Sequence, residues 1–289
     1  MARALILAAL LASFTAGCQS TDPMDPEKIR ELDETLLTRL DKLLTTWVTL
    51  QNSGKVEELG RTERKIRSLV DNHFVAIRLG LHSGSARKRA ICAAAVGFPM
   101  DIGVVGELLG TLNDPSPEVR SNALLSLSRI AYKRIPLDAL LPSLEDENPS
   151  VRRTAVLCLE KVSSVLTEER IVRELMGTMG DPDHGVRMNA AIALGRLGNV
   201  NAVELLADKG LSDKDDRVRY NAAIALAELK SYRGLEALIQ AGKKEINEAV
   251  KREIARALRT ITSEDFGRDF ESWEKWWLDF KAKSEKKDG

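Results

Sequence analysis

Asp114-Pro-Ser-Pro-Glu-Val119-Arg120, Asp146-Glu-Asn-Pro-Ser-Val151-Arg152, Asp181-Pro-Asp-His-Gly-Val186-Arg187 and Asp213-Lys-Asp-Asp-Arg-Val218-Arg219 are four copies of one phrase, each followed by a run rich in alanine and leucine. Their valines stand 32, 35 and 32 residues apart. A degenerate copy follows at Val250-Lys251, and another precedes at Ala86-Arg87. Self-similarity at this period means a solenoid, in which each unit buries its apolar face only against its neighbours.

With the valine as offset zero, offset four reads Ala90, Ala123, Ala155, Ala190, Ala222 and Ile254, and offset eight reads Ala94, Leu127, Leu159, Leu194, Leu226 and Leu258. A spacing of four places both rows on one helical face. An upstream helix supplies Leu108 and Leu112, Leu140 and Leu144, Leu175 and Met179, so each unit is two helices, the first ending before the repeated Asp. Ser116, Asn148, Asp183 and Asp215 stand at offset minus three and are good N-cap residues. Pro117 and Pro149 follow at the first helical position, where proline costs no hydrogen bond. The repeated Asp can accept backbone N–H bonds in the interhelical turn. The repeated Arg can reach the Asp of an adjacent repeat. An Asp–Arg row in every copy points to an assembly ladder, with an anion site as the alternative.

The Asp, cap, Val-Arg and Ala/Leu positions over residues 80–262 resemble the short HEAT-like repeats first recognised in phycobilisome-lyase proteins. The resemblance implies an all-α chain: an α-solenoid of HEAT-like helical-hairpin repeats with helical N- and C-terminal caps. Function is much less constrained, because such repeats serve bilin lyases, protein scaffolds and some nucleic-acid enzymes.

Residues 1–17 combine Arg3, a short apolar run from Ala4 to Phe14 and the small residues Ala16-Gly17, which together read as an export signal. The run is too short for a permanent span, which needs about 20 residues. The small residues end on Cys18, which resembles the bacterial lipoprotein signal, although Thr15 stands where that family usually has Leu. The resemblance implies lipidation of Cys18 and a chain exported and anchored to the cell envelope. Gln19 after the cysteine favours the outer membrane where there are two. The resulting organisation is a signal peptide at 1–17, a short tether at 18–25, an N-terminal helical hairpin cap at 26–80, the solenoid at 81–262, and an aromatic cap helix and tail at 263–289.

Capping is expected because an open repeat exposes its stacking face. Ile29, Leu32, Leu36, Leu40, Leu43, Trp47 and Leu50 run at spacings of three and four, a long amphipathic helix beginning near Pro26. Asn52-Ser53-Gly54 breaks it, and a second helix carries Leu59, Ile66, Leu69, Val70, Phe74 and Ile77. This pair either covers the first repeat or offers a pairing surface. At the other end Phe270, Trp273, Trp277 and Phe280 form one stripe, with Trp276 off it. The ending is similar to a Phe-Gly…Trp…Trp-Trp tail that follows HEAT-like repeats in some bacterial proteins. It reads as an aromatic plug, with Trp276 the candidate for an exposed aromatic contact.

Composition narrows the partners. The chain has 43 basic and 43 acidic residues, so nothing drives phosphate-backbone binding and no nucleic-acid partner is expected. Cys92 and Cys158, two repeats apart, are too distant for a disulfide and read as buried, inert thiols. No catalytic motif, metal spacing or cofactor loop is present in the sequence, and the three histidines are scattered. His184, which follows Asp181 and Asp183 in its turn, is the one with polar company.

The expected working surface is the concave face lined by the second helix of each repeat. Offset three supplies Asn122, Thr154, Asn189 and Asn221; offset ten supplies Arg129, Lys161, Arg196 and Glu228; offset two adds Arg153, Met188 and Tyr220. Asparagine amides could grip a peptide backbone, and the cations could fix acidic groups. The leading expectation is a membrane-anchored, non-enzymatic protein-binding scaffold or adaptor whose protein partner the sequence does not name. A self-associating structural envelope component is the alternative. A bilin lyase-like enzyme is a third, disfavoured because such lyases act beside cytoplasmic pigment proteins.

Overall fold

The computed structural model describes residues 32–51, 53–164 and 168–285. Cys18, the signal, the tether and the first turns expected near Pro26 and Ile29 lie outside the described residues. Fifteen α-helices run through the described residues, with no strand among them. They are α1 (Glu34–Gln51), α2 (Val56–Asn72), α3 (Phe74–Gly80), α4 (Ala86–Ala95), α5 (Val105–Gly110), α6 (Pro117–Ile130), α7 (Leu137–Leu140), α8 (Pro149–Val162), α9 (Glu168–Thr178), α10 (His184–Leu197), α11 (Val203–Leu205), α12 (Asp216–Leu229), α13 (Leu235–Lys244), α14 (Glu248–Thr262) and α15 (Phe270–Glu285).

Six repeats follow from the pairs α3/α4, α5/α6, α7/α8, α9/α10, α11/α12 and α13/α14. The second helices stack side by side in one continuous row. The first helices are shorter. Those in three repeats finish in a 3-10 or π turn just ahead of the repeated acid, at Thr111–Asn113, Leu141–Glu145 and Leu206–Gly210. The three extra residues of the 35-residue spacing fall in the stretch between Val162, which ends α8, and Glu168, which opens α9. Offsets four and eight form the core as the periodicity requires. Ala123, Ala190, Ala222, Leu127, Leu159 and Leu194 are all fully buried.

The register of the first repeat corrects the sequence reading. Its N-cap is Ser85, whose side chain accepts the Lys88 N–H. Offset zero is therefore Lys88 and the ladder arginine is Arg89, not Arg87. Offset four becomes Cys92, and Gly80 makes room for it: a Cβ on Gly80 would stand 2.3 Å from Cys92 Sγ. Gly210 stands in the same relation to Ala222, the offset-four residue of its own repeat, with a Cβ clash at 2.7 Å. Cys92 and Cys158 are both free and buried, and burial pushes each thiol up to about 12.

The N-terminal helix pair is also divided differently. The second apolar run is interrupted at His73, so Leu59, Ile66, Leu69 and Val70 lie on α2 while Phe74 and Ile77 lie on α3, the first helix of the first repeat. Helix α1 runs alongside α4. Arg87 reaches Glu34 and Asp41, Lys88 donates to the Leu32 carbonyl, and Trp47 packs edge-on to Phe98 at 5.4 Å.

The C-terminal helix α15 lies along α13 in the opposite direction. Phe270 seats on Gly242, Glu274 meets Gln240 and Lys243, and Lys281 reaches back to Glu236. First helices of successive repeats run parallel, so a reversed helix in that layer does not continue the stacking. Phe270 and Trp273 are buried, Trp277 is half-buried and Phe280 reaches solvent. The stripe is thus a plug at its start and a surface at its end.

Candidate protein-binding surface

Four interhelical turns are built by the same bonds. The Asp at offset minus five accepts the N–H two residues on: Ser116, Asn148, Asp183 and Asp215 donate at 2.8–2.9 Å. The Arg at offset one donates through Nη1 to two carbonyls of its own turn, as Arg120 does to Asp114 and Pro115. Its Nε and Nη2 form a fork on the acid of the next turn. The rungs are Arg89–Asp114, Arg120–Asp146, Arg152–Asp181, Arg187–Asp213 and Arg219–Glu245, each with Nε to oxygen at 2.6–2.7 Å. Glu245 takes the place of Asp in the degenerate last copy and still accepts the Asn247 N–H. Arg89 holds the Asp114 carboxyl below its ordinary range, and Arg219 does the same for Glu245. Burial pushes Asp146, Asp181 and Asp213 up, but the guanidinium and turn N–H bonds outweigh it and leave all three lowered. With the Arg forks and both acid oxygens engaged, the row assembles the repeats.

The residues expected on the concave face divide sharply. Asn122 and Asn189 donate their amides to the carbonyls of Ala90 and Arg153 on the preceding helix, so they clamp repeats together. Asn221 turns back to the Arg217 carbonyl of its own helix. Arg129 lies against the edge-to-face pair of Phe98 and Trp47, its guanidinium carbon 3.8 Å from the Phe98 ring centroid and 4.8 Å from that of Trp47, with Glu63 at 3.5 Å. Burial lowers its ordinary range, and it serves as the rivet between α1, α2 and the second repeat. Arg153 leans on Asp183 at 3.2 Å. Lys161 and Arg196 remain exposed and share one buried carboxylate, Glu160, at 3.1 and 3.3 Å. Met188 and Tyr220 are half-buried on the solvent side of adjacent helices. Trp276 is half-buried and stacked on Phe280 at 5.3 Å; Phe280 and Tyr232 stand further into solvent.

A row the sequence reading passed over completes this face. Offset six carries Leu125, Leu157, Ile192 and Ile224 on four consecutive second helices, and every one is only half-buried. Offsets two, six and ten lie on one face. The outer side of the second-helix row is therefore an apolar lane through Leu125, Leu157, Ile192 and Ile224, widened by Met188 and Tyr220 and bordered by Lys161 and Arg196. The signal was available: a third apolar row in register that neither offset four nor offset eight requires. Among the described residues, no group of three His, Cys, Asp or Glu side chains is placed to hold a metal, and no helix is long and apolar enough to cross a membrane. His184 opens α10 with its Nδ1 3.9 Å from Asp215.

HEAT-repeat family models match residues 105–169, 137–209 and 209–268, together more than half of the chain. No curated protein matches it at a significant level. Among solved structures, yeast importin-β (Kap95p) is similar at 14% identity and a TM-score of 0.59, covering 96% of this chain and 40% of its own. The Escherichia coli protein YibA is similar at 20% identity and a TM-score of 0.51, covering 84% of this chain and 93% of its own. An engineered protein is similar at 22% identity and a TM-score of 0.51, over 82% and 70% of the two chains. These likenesses concern the fold.

Proposed function

The chain belongs to the HEAT-repeat family, and from that premise we propose that it is a non-enzymatic scaffold that binds a protein on the outer face of its second helices while a lipid on Cys18 holds it at the cell envelope. The observation that carries the binding half is the lane. Four large aliphatic side chains recur in register and are only half-buried, beside offsets four, five and eight, which are buried in the core. A contiguous apolar strip on a soluble face marks an interaction site. The asparagines do not share that role, because two of them hold neighbouring helices together. The anchoring half rests on the sequence of residues 1–18.

The test is crosslinking in the native membrane with three chains: the natural one, Cys18→Ala and Ile192→Glu. A partner captured by the first, and lost or reduced with each of the other two, supports a tethered adaptor. Capture unchanged by Ile192→Glu moves the binding site off the lane. Retention of Cys18→Ala in the membrane fraction removes the lipid anchor from the reading. Capture of nothing but further copies of the same chain replaces the adaptor with a self-associating envelope component.

A further inference from the structure

Charge and geometry around the lane also constrain what lies in it. Along one margin, offset ten carries the exposed Lys161 and Arg196, which share the buried Glu160, and then the exposed Glu228. At the sixth repeat the lane changes character. Offset two is Arg252, offset six is Arg256 and offset nine is Arg259, three cations at spacings of four and three on the solvent side of α14. Glu253 answers Arg256 from a buried position, and Asp265 answers Arg259 at 3.3 Å. Arg252 is exposed and has no carboxylate partner among the described residues. The lane thus runs from aliphatic residues into an arginine end. A basic segment would meet like charge here, and an acidic one would meet complementary charge.

Two observations separate a helical occupant from an extended one. An extended chain must find partners for its backbone N–H and C=O groups, and Asn122 and Asn189 already donate to the preceding helices. A helix satisfies its own backbone. Neighbouring packed helices lie about 8–10 Å apart, which sets the step from one lane residue to the next. Two turns of helix advance about 10.5 Å, so residues seven apart match one repeat step. Same-face residues of a strand recur at about 6.6 or 13 Å and miss it. Four such steps from Leu125 to Arg256 make a lane, with its arginine end, about 32–40 Å long, the length of a helix of roughly 21–27 residues.

We infer that the partner segment is an acidic amphipathic helix of about six to seven turns, with its apolar seam on Leu125, Leu157, Ile192 and Ile224 and carboxylates over Arg252, Arg256 and Arg259. The inference rests on the lane being the docking surface. The experiment uses the full chain and two synthetic helical peptides of about 25 residues with an identical leucine seam, one flanked by glutamate and the other by lysine. Binding is read by fluorescence anisotropy at low and high salt. Arg252→Glu and Ile192→Glu chains of unchanged melting temperature are measured in parallel. The glutamate peptide binds at least about tenfold more tightly than the lysine peptide, added salt weakens it, and Arg252→Glu narrows the preference severalfold. Equal binding of both peptides, or a preference that Arg252→Glu leaves intact, overturns the acidic partner while loss of binding in Ile192→Glu keeps the lane. Glutamate-peptide binding that survives Ile192→Glu overturns the lane itself, and binding of neither peptide overturns both.

Discussion

The turn edge of this solenoid and the outer face of its second helices are both written in register, repeat after repeat, yet they end in opposite states. On the turn edge every repeated group is engaged: guanidinium forks on the next acid, Nη1 on two carbonyls, the acid on a backbone N–H. On the outer face the repeated aliphatic residues at offset six remain half in water. Repetition alone therefore does not separate assembly from recognition. What separates them is whether the repeated groups find their partners inside the chain.

Acid should open this difference furthest, because it reaches all the rungs at once. Asp114, Asp146, Asp181, Asp213 and Glu245 are each lowered in the folded chain. A lowered acid contributes stability that is present above its unfolded pKa, about 3.9 for Asp and 4.3 for Glu, and is lost as pH falls through the folded value. Melting temperature should hold steady from neutrality down to about pH 5 and then fall steeply below about pH 4. A flat profile down to pH 3 would remove the ladder from the stability of the fold.

A single rung comes next. Arg187 and Asp213 are the most enclosed pair, with side chains 6% and 8% exposed. Arg187→Ala leaves the Asp213 carboxylate buried without its fork and the Asp181 and Pro182 carbonyls without a donor. The expected loss is about 3–5 kcal/mol, read from denaturant midpoints. Ala190→Leu should cost about 1–3 kcal/mol by overpacking a site with no exposed surface. Asn189→Ala, which deletes one 3.2 Å bond between repeats, should cost about 1 kcal/mol. That ordering tests the reassignment of the asparagines: a neutral Asn189→Ala would return this side chain to the surface.

How much of this was legible in the sequence depended on which residues held to type. The ladder, the caps and the core rows were readable because Asp, Arg, Ala and Leu recur at fixed offsets in four copies. The first copy slipped by two residues because Lys88 replaces the valine and Cys92 the alanine, and the Ala-rich run of α4 accepts either register. Only the Ser85 cap and the Arg89–Asp114 rung fix it. Asn122 and Asn189 were misjudged because an amide facing a carbonyl on the preceding helix and an amide facing water carry the same letter. The offset-six lane was missed because offsets four and eight already accounted for a closed core. The reversal of α15 depends on Gly242 accepting Phe270, a contact between layers that no single-helix periodicity contains.

The smallest stability effect is the one that decides the comparison. Ile192 sits in register with Ala190 on α10, two residues away, but on the solvent side. If the lane is surface, Ile192→Glu places a carboxylate where water reaches it, near the exposed Arg196. Its cost in denaturant unfolding should then stay within about 1 kcal/mol, well below that of Ala190→Leu. Crosslinking to a partner should nevertheless be lost, because a charge in the middle of an apolar contact must be desolvated. A cost equal to that of Ala190→Leu would mean that offset six belongs to the core after all. The two edges of the solenoid would then differ only in chemistry, and the repeated leucines and isoleucines would need no partner to explain them.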